Sequence, residues 1–235
     1  MAKFWSKDVR FYFDGYDPGT ATTRLVVGMV SEALDPTAFG DVAERSTSGR
    51  RQDTIEWAGI FDDAAAGLHV AAGTLLGTGT GEVLTIMVGT GTGSVAFAGT
   101  GHLLAATPAA DLGNGLVRHS AVFALDQAWD AGKVAADKLI GTGAGTVVSG
   151  SLDNGATTTA GASVYVHVFG GTGTVVLQDS GSASLFVTVT GLSVVVTAAP
   201  FGTKLSIASG TALQAFTRAA VINGTGTASV AFARL

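Results

Sequence analysis

The sequence predicts a mainly β chain with one short helix and a sandwich-like C-terminal half. Three observations carry this expectation. The 34 glycines gather in short Gly-Thr clusters at 77–81, 89–93, 141–146, 170–174 and 223–227. The stretches between them are dense in Val, Ile, Leu and Phe and several alternate with period two. Only one segment reads clearly as helix. Glycine supplies positive φ without steric cost and threonine favours extended backbone, so the clusters mark turns between strands in a meander.

The elements follow in order. Strands are expected at 8–13, 22–32, 53–61, 82–88, 94–105, 116–127, 146–152, 162–169, 174–178, 184–197, 203–208, 214–222 and 227–233. In 53–61, Ile55, Trp57 and Phe61 share one face while Thr54 and Glu56 share the other, which suits a half-buried strand. In 162–169, Val164, Val166 and Val168 oppose Tyr165, His167 and Phe169, the pattern of a strand covered on both sides. The helix is expected at about 62–73, where Asp62 and Asp63 suit a positive N-terminal dipole and Gly73 suits a C-terminal cap. A second short helix or turn is expected at 129–138.

Composition bounds the function. With 235 residues the chain holds one large β domain or two modest ones. Residues 1–140 carry 10 Lys/Arg and 16 Asp/Glu, net −6, whereas 141–235 carry 3 and 2, net +1. The two parts therefore read as an N-terminal β domain, 1–140, and a β-rich C-terminal half, 141–235. No run approaches the ~18 apolar residues of a membrane span, and the N-terminus has no apolar signal segment. The chain is therefore expected to fold in the cytoplasm where it is made. Cysteine is absent, which excludes disulfides and thiolate sites. A net charge of −5 disfavours phosphate neutralisation, yet it suits a surface past which DNA slides without sticking. Charged residues are only 13% of the chain, so part of its surface is expected to be covered by self-association.

No constellation supports catalysis or a cofactor. The Gly-Thr clusters lack G-x-G-x-x-G spacing, and Gly202-Thr203-Lys204 reverses the order of a phosphate loop. His69, His102, His119 and His167 are scattered without metal-ligand spacing. Asp14 and Asp17 sit in Asp-Gly and Asp-Pro turn signals, while Asp62 and Asp63 read as a helix start. An aromatic strip of Tyr165, Phe169 and Phe186 offers a carbohydrate-binding alternative, against the plainer reading of core packing.

Two segments carry a resemblance. The first runs from Phe11-Tyr12-Phe13-Asp14-Gly15-Tyr16-Asp17 through a strand ending Glu32-Ala33-Leu34-Asp35 to Thr37-Ala38-Phe39-Gly40-Asp41. It continues through a basic loop around Arg45–Arg51 and the strand Thr54–Ile60 to Phe61-Asp62-Asp63. The second spans 161–192 and 217–235, with Gln178-Asp179-Ser180 between strands and a final Ala231-Phe232-Ala233-Arg234. In this order they resemble major tail tube proteins of long-tailed, non-contractile bacteriophages. The resemblance implies a tail-tube-type β-barrel or sandwich and a virion structural protein. It also implies stacked hexameric rings, through which DNA passes without specific binding, and partners such as tape-measure and terminator proteins. The loop at about 33–52 would contact the next ring, with Thr37, Phe39, Asp41, Arg45, Arg50 and Arg51 as candidates. Glu56 and Asp126 are the candidates for facing the lumen. A capsid decoration or tail-tip protein is the alternative within the same setting.

Overall fold

A computed structural model of the chain describes residues 8–34, 47–61, 68–76, 81–111 and 116–234. The strands are β1 (Val9–Phe13), β2 (Thr22–Leu34), β3 (Thr47–Ile60), β4 (Glu82–Val88), β5 (Val95–Asp111), β6 (Leu116–Leu125), β7 (Asp130–Ile140), β8 (Thr146–Val148), β9 (Leu152–Asp153), β10 (Ala162–Gly170), β11 (Gly173–Ser180), β12 (Val187–Val196), β13 (Phe201–Ile207), β14 (Phe216–Ile222) and β15 (Thr227–Arg234). One α-helix, α1 (Leu68–Leu75), lies among the described residues. A ten-stranded sheet runs β13-β10-β15-β7-β5-β6-β3-β2, with the β1–β4 pair attached to β5, and β12-β11-β14-β8 forms a second sheet with β9 beside β14. The pairs are antiparallel, and among the described residues the large sheet stays open.

The first half of β5 pairs with β4 and the second half with β6. The two pairings overlap at Gly101, which faces Glu82 on one edge and Leu125 on the other, and a Cβ there would lie 2.3 Å from the Ala124 carbonyl oxygen, so a side chain is excluded. A first core gathers on one face of these strands. Phe11 and Phe13 of β1, Leu84 and Ile86 of β4, Ile55 and Trp57 of β3, and Ala121 and Phe123 of β6 meet there, with Ala71 and Ala72 of α1. The opposite face of β1 and β4, carrying Tyr12, Val83 and Met87, packs on Tyr165 of β10 and Ala231 of β15. Beyond that, Val164, Val166 and Val168 of β10 join Val175 and Leu177 of β11 and Ala219 and Val221 of β14 in the sandwich core. The expected two-sided burial of 162–169 and the alternation in 53–61 are both present, with Ile55 and Trp57 inside and Glu56 exposed.

Several expectations are corrected. The segment 129–138 is strand, not helix or turn. Its Ala, Lys and Asp residues favour helix locally, but pairing with β5 on one side and β15 on the other buries Val134, Ala135 and Ala136, and tertiary context decides. The described helix runs Leu68–Leu75, past the expected end at 73, and Gly73 lies inside it with open space around it instead of capping its end. Asp62 and Asp63 lie outside the described residues. The loop expected at about 33–52 is partly strand, because β2 and β3 keep pairing out to Leu34↔Thr47. The strand expected at 146–152 divides into β8 and β9, with the Ser149 hydroxyl accepting the Ala219 N–H between them. β5 continues past 105 to Asp111 through Pro108, which is tolerated because among the described residues that half of β5 has a strand partner only in β6.

The Gly-Thr turns connect β4 to β5, β7 to β8, β10 to β11 and β14 to β15. Three of them lock together. Gly141 N–H donates to Gly226 O, Gly143 N–H to Gly224 O and Thr225 N–H to Thr172 O, each at 2.8–3.0 Å. The cluster at 77–81 lies mostly outside the described residues.

Candidate assembly surfaces

On the layer β2-β3-β6-β5, residues alternate between the first core and an open face. Opposite Ile55, Trp57 and Phe123, the open face carries the cross-strand rows Arg24–Ala58–Ser120, Val26–Glu56–Val122 and Gly28–Thr54–Ala124. Most of these side chains are short, so the four-stranded face is smooth. Two polar pairs lie on or beside it: Arg24 Nη2 lies 3.4 Å from Glu56 Oε2, and His102 Nε2 lies 2.9 Å from Asp126 Oδ1; Arg118 of β6 is exposed on the same face. Glu56 thus occupies the middle of this face and Asp126 its border, just past the end of β6. Behind His102, the buried Glu82 carboxylate has an oxygen without a hydrogen-bond partner, 4.0 Å from His102 Nδ1. Burial holds the Glu82 carboxyl above the usual carboxylate range, and the Asp14 charge adds to this.

The β2–β3 hairpin runs past β6, whose pairing with β3 covers only Thr54–Ile60. Consequently Met29 and Val30, on opposite faces of β2, are 52% and 61% exposed. Thr37, Phe39, Asp41 and Arg45 lie outside the described residues, and Arg50 belongs to the backbone of β3. Arg51 has an intramolecular role that the sequence reading missed. Its Nε and Nη2 each reach a carboxylate oxygen of Asp53 at 2.7 Å, a bidentate contact within one strand. Asp53 is fully buried and also accepts the Trp129 N–H at 3.3 Å, so Arg51 closes the end of the first core. The signal was Arg-x-Asp at strand spacing, with both side chains on the face of Ile55 and Trp57.

Between the β1–β4 layer and the β10–β15 layer lies a seam of polar side chains. The Tyr12 hydroxyl donates to Asp137, which also accepts from Ser229 Oγ at 2.8 Å. The Tyr165 hydroxyl donates to Asp130, and Lys204 Nζ approaches the same carboxylate at 3.5 Å. Burial, with the carboxylates beside them, pushes both phenols well above their ordinary value. His167 is fully buried between Thr85 Oγ1 at 2.8 Å and the Gly15 N–H at 3.3 Å. Its Nδ1 accepts from Gly15, so its proton sits on Nε2 and is donated to Thr85. Burial lowers its pKa to about 3. At the rim, Lys138 Nζ meets Asp17 Oδ2 at 2.6 Å, while Asp17 Oδ1 accepts the Gly19 N–H. Asp14 stands at positive φ in a turn closed by Phe13 and Tyr16, the turn roles expected of these acids.

This seam removes the aromatic strip. Tyr165 is 1% exposed and Phe169 packs beside Tyr12, so neither shares a surface with Phe186, which stacks on the Arg218 guanidinium instead.

No protein family and no curated protein matches the chain. Among solved structures, it is similar to a chain in the virion of a native gene transfer agent particle, with 17% identity over 55% of this chain and 98% of that one, at a TM-score of 0.43. The SPP1 tail tube matches with 12% identity over 54% of this chain and 78% of that one, at a TM-score of 0.42. The SPP1 Dit protein, of a hub adsorption apparatus in phages infecting Gram-positive hosts, matches with 13% identity over 95% of this chain and 97% of that one, at a TM-score of 0.36.

Proposed function

We propose that the chain is a phage virion structural protein, specifically a major tail tube subunit that forms hexameric rings stacked into a channel for genome passage. The likenesses to solved tail proteins fall below a TM-score of 0.5, so the reading rests on the chain's own features. The observation that carries it is the face of β2-β3-β6-β5, made mostly of short side chains and bordered, among the described residues, by strand edges without a strand partner at β2 and along the second half of β5. Such edges invite pairing with another chain, and a closed ring satisfies them without runaway aggregation. Small side chains suit a wall along which DNA moves without being held. The motif order from Phe11 to Asp63 points the same way, and the projecting β2–β3 hairpin is the arm that meets the next ring. Assembly takes place in the host cytoplasm, with tape-measure and terminator proteins as further tail partners.

Negative-stain microscopy of the purified protein tests this. Rings or tubes ~100 Å wide are the expected outcome, from closure of β domains of this size. A strictly monomeric protein at high concentration and across salt contradicts it. Rings that never stack point instead to a single-ring tail-tip part.

A further inference from the structure

Three strands fork at Gly101, because β4 ends its pairing with β5 there and β6 begins its own. Glu82 opens β4, His102 follows Gly101 in β5, and Asp126 follows the last residue of β6. Gly81 keeps the fork tight, since a Cβ there would lie 2.9 Å from Asp126 Oδ2. A cleft of about 720 Å³ lies against it, lined by His102 and Asp126 together with Val30 and Arg51 of the β2–β3 hairpin.

The three titratable side chains are joined unequally. An ionised carboxylate only accepts, so Asp126 Oδ1, 2.9 Å from His102 Nε2, places the ring proton on Nε2 and leaves Nδ1 as the acceptor of the neutral ring. Nδ1 faces Glu82 Oε2 at 4.0 Å. With Glu82 ionised, two lone pairs oppose each other there, and this buried oxygen has no donor. His102 is partly exposed, so protons reach the pair through the ring even though Glu82 is buried.

We propose that Glu82 and His102 take up one proton between them, and that this proton latches β4 to β5 at the fork. Placed on Oε2 it is donated to Nδ1; placed on Nδ1 it is donated to Oε2. In either form the gap closes to hydrogen-bond distance, ~2.7–3.0 Å. Counted with Asp126, the cluster passes from two net negative charges to one. The border of the open face thereby becomes less negative in acid.

The surrounding groups favour this uptake. Burial raises the Glu82 carboxyl above its usual range and the Asp14 charge adds to this, against the Glu82 and Leu103 N–H groups and His102, which favour the ionised form. Arg51, the cation of the cleft, is committed to Asp53 through both Nε and Nη2. The folded chain therefore binds this proton at a higher pH than the unfolded chain does. The latch fills as pH falls and is lost as pH rises through that step. It acts within one chain and does not depend on the tube reading.

Hydrogen-exchange mass spectrometry of the full-length chain tests it, on peptides covering residues 81–84 and 100–104. The expected result is protection about tenfold higher at about pH 5 than at about pH 8, after correction for intrinsic exchange. Glu82→Gln replaces the titrating group with an amide that donates to Nδ1 at any pH, so its fork is expected to be protected equally at both. Effects of pH on the whole fold, that of His167 included, act on both chains and cancel in the comparison. No pH difference in the native chain, or the same difference in Glu82→Gln, overturns the proposal. Should Glu82→Gln fail to fold, carbon-13 and nitrogen-15 spectra of the native chain decide: the Glu82 carboxyl and His102 Nδ1 are expected to shift at one shared midpoint. A Glu82 carboxyl that does not shift with His102 overturns the latch.

Discussion

Tyr12 and Asp137 stand 125 residues apart in the chain, yet the Tyr12 hydroxyl donates to Asp137 Oδ1 at 2.7 Å across the seam between the β1–β4 layer and the β7–β15 layer. With Tyr165–Asp130 and His167–Thr85, this contact fixes how the C-terminal sandwich sits on the N-terminal sheets. Apolar packing alone tolerates sliding; directed hydrogen bonds between buried groups do not.

Tyr12→Phe keeps the ring and removes the hydroxyl. Asp137 retains Ser229 Oγ, so the expected loss is about 1–2 kcal/mol, the size of a buried hydrogen bond to a charged acceptor. Urea denaturation followed by fluorescence measures it. No loss would mean that the seam hydrogen bond contributes nothing to the docking of the layers.

His167 sets a pH dependence. Its folded pKa, about 3, lies below the unfolded value near 6.5, so between these limits the unfolded chain binds one more proton. Stability is therefore lost as pH falls from about 6.5 towards about 3, at up to about 1.4 kcal/mol per unit, and this histidine has no effect above that window. His167→Gln is expected to flatten the acid limb of a stability–pH curve. An unchanged slope would show that the ring is not held neutral in the fold.

Arg51→Met strips a buried carboxylate of its bidentate partner. Asp53 would keep only the Trp129 N–H, and the expected cost is about 2 kcal/mol, below the usual range for breaking a buried pair because Arg51 is itself partly exposed. Asp53→Asn combined with Arg51→Met removes the stranded charge and is expected to recover part of the loss. Thermal melts of the three variants test the coupling.

At the locked Gly-Thr turns, Gly171 has φ +79°, and a Cβ there would lie 2.6 Å from Gly226 Cα; Gly143 has φ +99° but open space around it. Gly143→Ala bears only the conformational cost, about 1 kcal/mol, whereas Gly171→Ala must also push two turns apart and is expected to cost about 3 kcal/mol or more. Equal effects would contradict the interlocked arrangement.

Much of the fold was legible because local pattern and burial agree. In β10 the valine face and the Tyr165–His167–Phe169 face were both apolar enough to announce cover on both sides, and β3 alternates cleanly from Asp53 to Ile60. β7 was hidden because Asp130-Ala131-Gly132-Lys133 has no strand pattern, and its conformation comes from β5 and β15, neither of them near it in pairing distance along the sequence. The continuation of β5 was masked by Pro108, whose missing N–H does no harm at an unpaired edge. Of the expected site residues, Glu56 and Asp126 fall on or beside one open face, and Arg51 turns inward to Asp53. The seam could not be read in advance, since nothing local in Tyr12, Asp137 or His167 tells that they meet.

A helical reconstruction by cryo-electron microscopy of the assembled protein tests the central claim most directly. The expected result is a channel lined by β2-β3-β6-β5, with Glu56 and Ser120 facing the lumen and the β11–β14 sandwich outside. A channel lined by the C-terminal sandwich, or particles with no channel at all, would contradict it.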